Sequence, residues 1–441
     1  MKFETIKSII LVVLIMLSLL LTLGIWRYQP DYEYADSSRR VIEADLGGEE
    51  QTKRSVILPS QIIYHQDNNH YGLVNKKKEN ELYQMLQGWS LYDFSVSSYE
   101  NGEEKFSPNY DNSIEFVFPT KIPTSMISDL FTMDEERGIP ESTFDRISIS
   151  LDEEQMNNQI IFQNTETGFS IDANIQNIAK VRKNLINYKK QNELQQYLVY
   201  ENNNLIPIYI PEQVNLYKHL FSYKNILVTP LRNVLFNTPS AVRSSGYTNG
   251  SQLYSDGSKA MIVYEHHIEY TNPTPAEANP MEPRQLISQT LEFINDHGGW
   301  TTGTTDRYQL YDLNQESNKV QFYLTYGGYP IFENSELSMI SVTMRNLAVY
   351  QYIRPLIQLK DTFGDGQLQD IESGSEIIAL LKTDRRFESA MILDVSPGYK
   401  MEEQQGGQIF ALTPTWFIKD YNGWKELDTT NELPFSRGGG N

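Results

Sequence analysis

The sequence predicts an α+β protein: one N-terminal transmembrane helix followed by a three-domain extracytoplasmic region of antiparallel sheets with helices. Three observations lead there. A single uncharged apolar run occupies residues 8–26, apolar residues alternate in short stretches through the rest of the 441-residue chain, and helical stripes precede groups of those stretches. The length exceeds what one ordinary core holds, which points to more than one domain. Aromatic residues at 12% and hydrophobic residues at 39% are enough to fill such cores.

The apolar run SIILVVLIMLSLLLTLGIW is 19 residues long. At ~1.5 Å rise per residue it matches the ~30 Å hydrocarbon thickness of a bilayer. A cleaved signal peptide has a shorter apolar stretch and a small-residue cleavage site; this run instead continues into Gly24, Ile25, Trp26 and Arg27, so it is expected to stay as an anchor. Trp26 and Tyr28 suit the outer interface. Positive charges balance on the two sides, so orientation rests on the short inner tail: residues 1–7 cytoplasmic, the rest exported. Ser18 and Thr22 share a helix face with Trp26 one turn further on, and small hydroxyl residues let membrane helices approach closely. These three residues are the expected contact with partner helices.

Residues 27–57 carry many charges, few aliphatics and a Gly-Gly pair, and read as a stalk. An N-terminal domain is expected over 58–225. Leu82, Met85, Leu86 and Trp89 form a helical stripe, and strands follow at Tyr92–Phe94–Val96, Ile114–Phe116–Phe118 and Ile147–Ile149–Leu151. Residues 226–245 read as a connector because two prolines interrupt them. A central domain over 246–359 opens with the Asp256-Gly257 turn and a strand over 260–270. Its helix has Pro283 at the start, Leu286, Ile287, Leu291 and Ile294 as buried stripe, and Gly298 at the cap. Strands carrying Val320, Phe322, Leu324 and Tyr326, then Ile340, Val342 and Met344, come next. A C-terminal domain over 360–441 repeats the order: a helix after Ser373 with Ile377, Ile378 and Leu381, then strands over 391–399 and 408–419. That shared order hints at an old duplication.

The net charge of −20 repels nucleic acid. The absence of cysteine removes disulfides, thiolate metal sites and cysteine nucleophiles together. Six histidines are left for chemistry. His65 and His70 are expected in a polar loop, His266 and His267 on opposite faces of a strand, His219 in or beside a core, and His297 as a cation at the helix end, where the dipole favours one. HExxH, G-x-S-x-G, Walker and G-x-G-x-x-G patterns do not occur. In DTFGDGQLQDIE, Asp361, Asp365, Gly366, Leu368 and Glu372 match calcium-loop positions, but Phe363 stands where an oxygen ligand is needed, and a turn is the better reading. No cofactor and no catalytic residue is expected.

The anchor followed by YQPDYEY (28–34), LPSQIIYH (58–65), YSDGSKAM (254–261), LEFINDHGGW (291–300), YGGYPIF (326–332) and LTPTWFI (412–418) resembles the YycH (WalH) family of Gram-positive bacteria. The resemblance spans essentially the whole chain. It implies a non-enzymatic regulator of the WalK sensor histidine kinase, which with its response regulator WalR controls cell-wall metabolism. It also implies a second membrane partner similar to YycI, contact through transmembrane helices, and an ectodomain of three domains. The competing classes are a cell-wall hydrolase, which would need a carboxylate or metal cleft, and an exported chaperone or inhibitor.

Overall fold

The computed structural model describes residues 14–16, 18, 45–97, 112–133, 139–152, 159–201, 206–273, 279–303, 306–333, 336–388, 392–405 and 408–429. Residues 14–16 and 18 are helical. No helix among the described residues is long and apolar enough to cross a membrane, and most of the apolar run 8–26 lies outside them. From Glu43 onward the chain forms one compact unit.

Two sheets organise that unit. The first is built from β1 (Gln61–Gln66), β2 (Asn69–Leu73), β3 (Ser90–Ser97), β4 (Ser113–Pro123), β5 (Thr132–Met133), β6 (Thr143–Ser150), β7 (Gln159–Gln163), β8 (Ser170–Ile175), β9 (Leu194–Glu201) and β10 (Pro207–Pro211). Their spatial order is β10-β9-β2-β1-β4-β6-β7-β8-β3-β5, antiparallel except for the β3–β5 pair. Four helices accompany these strands: α1 (Lys53–Val56), α2 (Lys76–Gln87), α3 (Ile127–Leu130) and α4 (Ile178–Gln191). α2 begins where the Asn75 side chain accepts the Lys77 amide, and it buries Leu82, Tyr83 and Leu86. The expected stripe and strands are therefore present, and alternation explains them: β7 buries Ile160 and Phe162 while its neighbours stay half-buried.

The second sheet comprises β11 (Leu216–Asn225), β12 (Arg243–Gly246), β13 (Gln252–Ser255), β14 (Ala260–Val263), β15 (His267–Thr271), β16 (Asp306–Asn314), β17 (Lys319–Tyr326), β18 (Tyr329–Phe332), β19 (Met339–Arg345), β20 (Ala348–Pro355), β21 (Ile357–Thr362), β22 (Gln367–Gln369), β23 (Asp394–Glu403), β24 (Ile409–Asp420) and β25 (Gly423–Glu426). The main order is β12-β13-β14-β15-β20-β19-β17-β18-β23-β24-β11-β21, with β16, β22 and β25 paired at its sides. Helices α5 (Val228–Leu235), α6 (Pro283–Asn295) and α7 (Gly374–Thr383) belong to this half of the chain. In α6, Pro283 fills the first turn, the Glu282 carboxylate accepts the Arg284 and Gln285 amides, and Leu286, Ile287, Leu291 and Ile294 are buried. Those four side chains contribute roughly 1.5–3 kcal/mol each. Gly298, with φ of +59°, follows the helix as the sequence suggests. Ser373 and Glu376 close a reciprocal capping box at the start of α7.

Four local expectations change. Residues 45–57 are not a free stalk. The Leu46 and Gly48 amides donate to the carbonyls of His297 and Gly298, Gln51 exchanges two hydrogen bonds with the Asn295 amide group, and Val56 and Ile57 enter the core. Polar composition hid this because Leu46, Gly48 and Gln51 dock through their backbone groups. The connector contains α5, since Pro230 falls in the first turn, where its missing N–H has no helical partner to lose; Leu231, Leu235 and Phe236 are buried. The strand over 260–270 is two strands, β14 and β15, folded at Tyr264–His267 without a Gly, Asn or Pro to announce the turn. Strand pairing also ignores the breaks at 225 and 359: β11 pairs with β24 and β21, and β21 straddles 359. Parallel pairing of β18 with β23 carries the sheet from the central into the C-terminal strands.

Candidate functional site

Of the residues expected to meet partner helices, Ser18 is helical, while Thr22 and Trp26 lie outside the described residues. The chemistry visible elsewhere lies in ionisable clusters.

A cluster in the first sheet corrects the polar-loop reading of His65 and His70. These residues face each other across the β1–β2 hairpin, and their Nδ1 atoms are 2.7 Å apart. His65 is buried, and its Nε2–H donates to Glu115 Oε2 at 3.0 Å. Glu115 comes from β4 and lies 3.3 Å from the Arg146 guanidinium of β6. The Tyr209 ring of β10 packs against both imidazoles, with centroids 5.6 and 5.4 Å away. Burial opposes ionisation of Glu115, yet the His65 hydrogen bond and the Arg146 charge hold its carboxyl below the ordinary value. His70 is pushed down by burial and by the charge of His65. Asp394, at the start of β23, feels the same Arg146, so the cluster reaches from the first sheet to the second.

A second buried pair joins Lys76 Nζ to Glu79 Oε2 at 2.8 Å beneath the β17–β18 turn, with Lys76 over the Tyr329 ring. Gly328 is required in that turn: its φ is +88°, and a Cβ would lie 2.5 Å from Lys76 Cβ. Burial raises the Glu79 carboxyl to about 7, against the pull of Lys76.

The strand expected to carry both histidines begins only at His267, with His266 in the bend before it, and the two meet different partners. His266 Nε2 pairs with Glu403 at 3.1 Å, and Glu403 also accepts the Tyr223 hydroxyl at 3.1 Å. His267 stacks on Tyr264 and lies 3.9 Å from both Glu269 and Glu336. Each set has three possible metal donors, Glu265–His266–Glu403 and His267–Glu269–Glu336. In the first, His266 Nε2 already bonds directly to Glu403, and among the described residues nothing beyond spacing directs an ion to the second.

His297 is not the cation expected at the helix end. Its Nδ1–H donates to the Phe293 carbonyl at 2.6 Å and its Nε2 accepts the Tyr352 hydroxyl at 3.0 Å, a neutral tautomer. Burial and the neighbouring Arg354 charge push it down to about 3. Burial defeats the helix dipole here. His219 is half-buried, the boundary position expected. The calcium-like segment spans the end of β21, a turn with Gly364 and Gly366 at positive φ, and β22, so it joins two strands that both pair with β11.

Glu115, Arg146, Tyr209 and Glu79 were not singled out by the sequence. One signal was available for Glu115: it sits within SIEFVF, a strand buried on both faces, where a carboxylate needs a partner.

Residues 4–193 match the family model described as YycH protein, N-terminal domain, and residues 206–432 match YycH protein, C-terminal domain. The chain is 22% identical, over 95% of its own length and 95% of the relative's, to the two-component system WalR/WalK regulatory protein YycH of Bacillus subtilis (strain 168). The crystal structure of YycH from Bacillus subtilis superposes with a TM-score of 0.70 at 18% identity, covering 87% of this chain and 98% of that one, and so shares the fold. With two family models accounting for nearly its whole length, the chain belongs to the YycH family.

Proposed function

We propose that this chain is a non-enzymatic, membrane-anchored regulator of a two-component system whose sensor is a WalK-like histidine kinase. The observation that carries the reading is the end-to-end match to YycH: a relative named as a WalR/WalK regulatory protein aligns over 95% of both chains. The finer parts rest on sequence. The uncharged run 8–26 serves as the single transmembrane helix, residues 1–7 stay cytoplasmic, and the domains that follow lie outside the cell. Ser18, Thr22 and Trp26 form the face that meets the kinase helices, and a YycI-like membrane protein acts alongside. The ionisable clusters suit a structural role, because the partners of His65, Glu115 and His297 are already taken inside the fold.

Deleting the gene and measuring kinase-dependent transcription tests the proposal. Output is expected to change on deletion, to be restored by the full chain, and to stay altered when residues 1–26 are replaced by a cleaved export signal. Unchanged output on deletion, or full restoration by the unanchored form at equal levels, would overturn it.

A further inference from the structure

The contact between His65 and His70 has an arithmetic that hydrogen bonding alone sets. Two Nδ1 atoms 2.7 Å apart share one hydrogen, so one ring must accept while the other donates. His65 already commits its Nε2–H to Glu115. The pair is therefore stable with no net charge, His70 donating to His65, or with one charge, His65 donating from both nitrogens. A second proton places a hydrogen on each Nδ1, and the contact becomes repulsive.

Among the described residues, the groups facing the pair are already engaged before that second charge arrives. Of the groups facing the pair, β4 supplies Glu115, already shared between His65 and Arg146. Strand β6 supplies Arg146 itself, with Asp145 4.0 Å from its guanidinium. Strand β10 supplies the Tyr209 ring, and β9 supplies Tyr197, the register partner of His70. On β23, Asp394 is engaged by Lys419 of β24 and by Arg146. Lys189 of α4 is bonded to Gln66 at 2.7 Å, and Asp67 lies exposed in the hairpin turn. Asp145 and Asp394 are thus set against Arg146, and Glu115 is the carboxylate that meets the first imidazolium; a second imidazolium must share it.

We propose that the His65–His70 pair is a proton-operated latch: a second proton drives the rings apart and loosens the β1–β2 hairpin and the Tyr209 strand packed on it. Strand β10 matters because it also packs beside β23 and sends Ile208 and Ile210 into the core that holds α7 and Trp416. Release at the latch is thereby passed to the junction of the two sheets. The depressed proton affinity of His70 agrees with this direction. The latch does not depend on the regulatory reading; on the extracytoplasmic placement proposed above, it meets the ambient pH.

Amide hydrogen exchange of the full-length chain in detergent micelles, at about pH 7.5 and about pH 5 with intrinsic rates corrected, tests it. Protection of peptides covering β1–β2 and β10 is expected to fall at least ~10-fold in acid for the natural chain. In His70→Gln, whose amide still donates to His65 Nδ1 without titrating, the fall is expected to stay below ~2-fold. Titration of His297 acts equally on both proteins and cancels. Equal acid sensitivity of the two proteins, or none in either, would overturn the latch. Should His70→Gln not fold, ring-carbon NMR of the natural chain decides. Two titration steps more than about one pH unit apart support a shared proton. Independent titration of both rings near the ordinary histidine value contradicts it.

Discussion

Between Phe293 and Tyr352, His297 is held neutral by one hydrogen bond given and one received, and its pKa near 3 makes it a stability sensor. The folded value lies below the ordinary 6.5, so the unfolded chain binds the extra proton between those values. Stability from this group is complete above about pH 6.5 and is lost as pH falls toward 3, approaching ~1.4 kcal/mol per pH unit. Urea unfolding at about pH 7 and about pH 5 should show the natural chain losing ~2 kcal/mol more than His297→Gln. Equal losses would contradict the assignment. Glu79, whose raised carboxyl acts with the opposite sign, is present in both proteins and drops out of the difference. Arg354 sets the second residue-scale expectation. It is fully buried and donates to the carbonyls of Gly299 and Pro355 and to Thr301 Oγ1. Arg354→Met leaves those acceptors dry and should cost ~3 kcal/mol or more by the same measurement; a loss below ~1 kcal/mol would show that water or relaxation replaces them.

Element by element, what could be read in the sequence followed one rule. Where side-chain period and cap chemistry coincide, the element is present: α6 between Pro283 and Gly298, α7 behind the Ser373–Glu376 box, β17 and β19 with their alternating cores. Where backbone alone makes the structure, nothing in the side chains announces it. The docking of residues 46–51 is such a case. Gly48 runs so close to the chain after α6 that a Cβ would lie 2.5 Å from Gly298 O and from Trp300 C and O. Gly48→Ala should detach this segment, at ~1–3 kcal/mol, and expose residues 45–57 to protease while α6 stays intact. Unchanged cleavage and an unchanged thermal midpoint would mean that the approach is not tight. The histidine clusters were illegible for a related reason: His65 and Glu115 are neighbours through strand register, which periodicity does not specify across a 50-residue separation.

At the scale of the whole molecule, one apolar cluster runs from Val56 through the first sheet to Leu412 in the last long strand, and a second joins β10 to α7 and Trp416. The two family regions are therefore expected to unfold together: tryptophan fluorescence and far-UV circular dichroism should give coincident urea transitions, and Ile210→Ala should shift both by ~2–4 kcal/mol. Two separated transitions would show that the halves are stable alone. Regulation in this account reaches the kinase through the membrane, and the sequence makes that directly testable because it contains no cysteine. Ser18→Cys introduces a unique thiol on the face proposed for partner helices. In native membranes, oxidative crosslinking from position 18 to single thiols placed in the kinase's transmembrane helices should give a heterodimer. Adding Thr22→Leu, one turn along the same face, should weaken that product at equal membrane levels. Absence of any kinase adduct from position 18 and from the neighbouring positions 14, 15 and 16, with the protein present in the membrane, would contradict the claim that this helix regulates the kinase by contact.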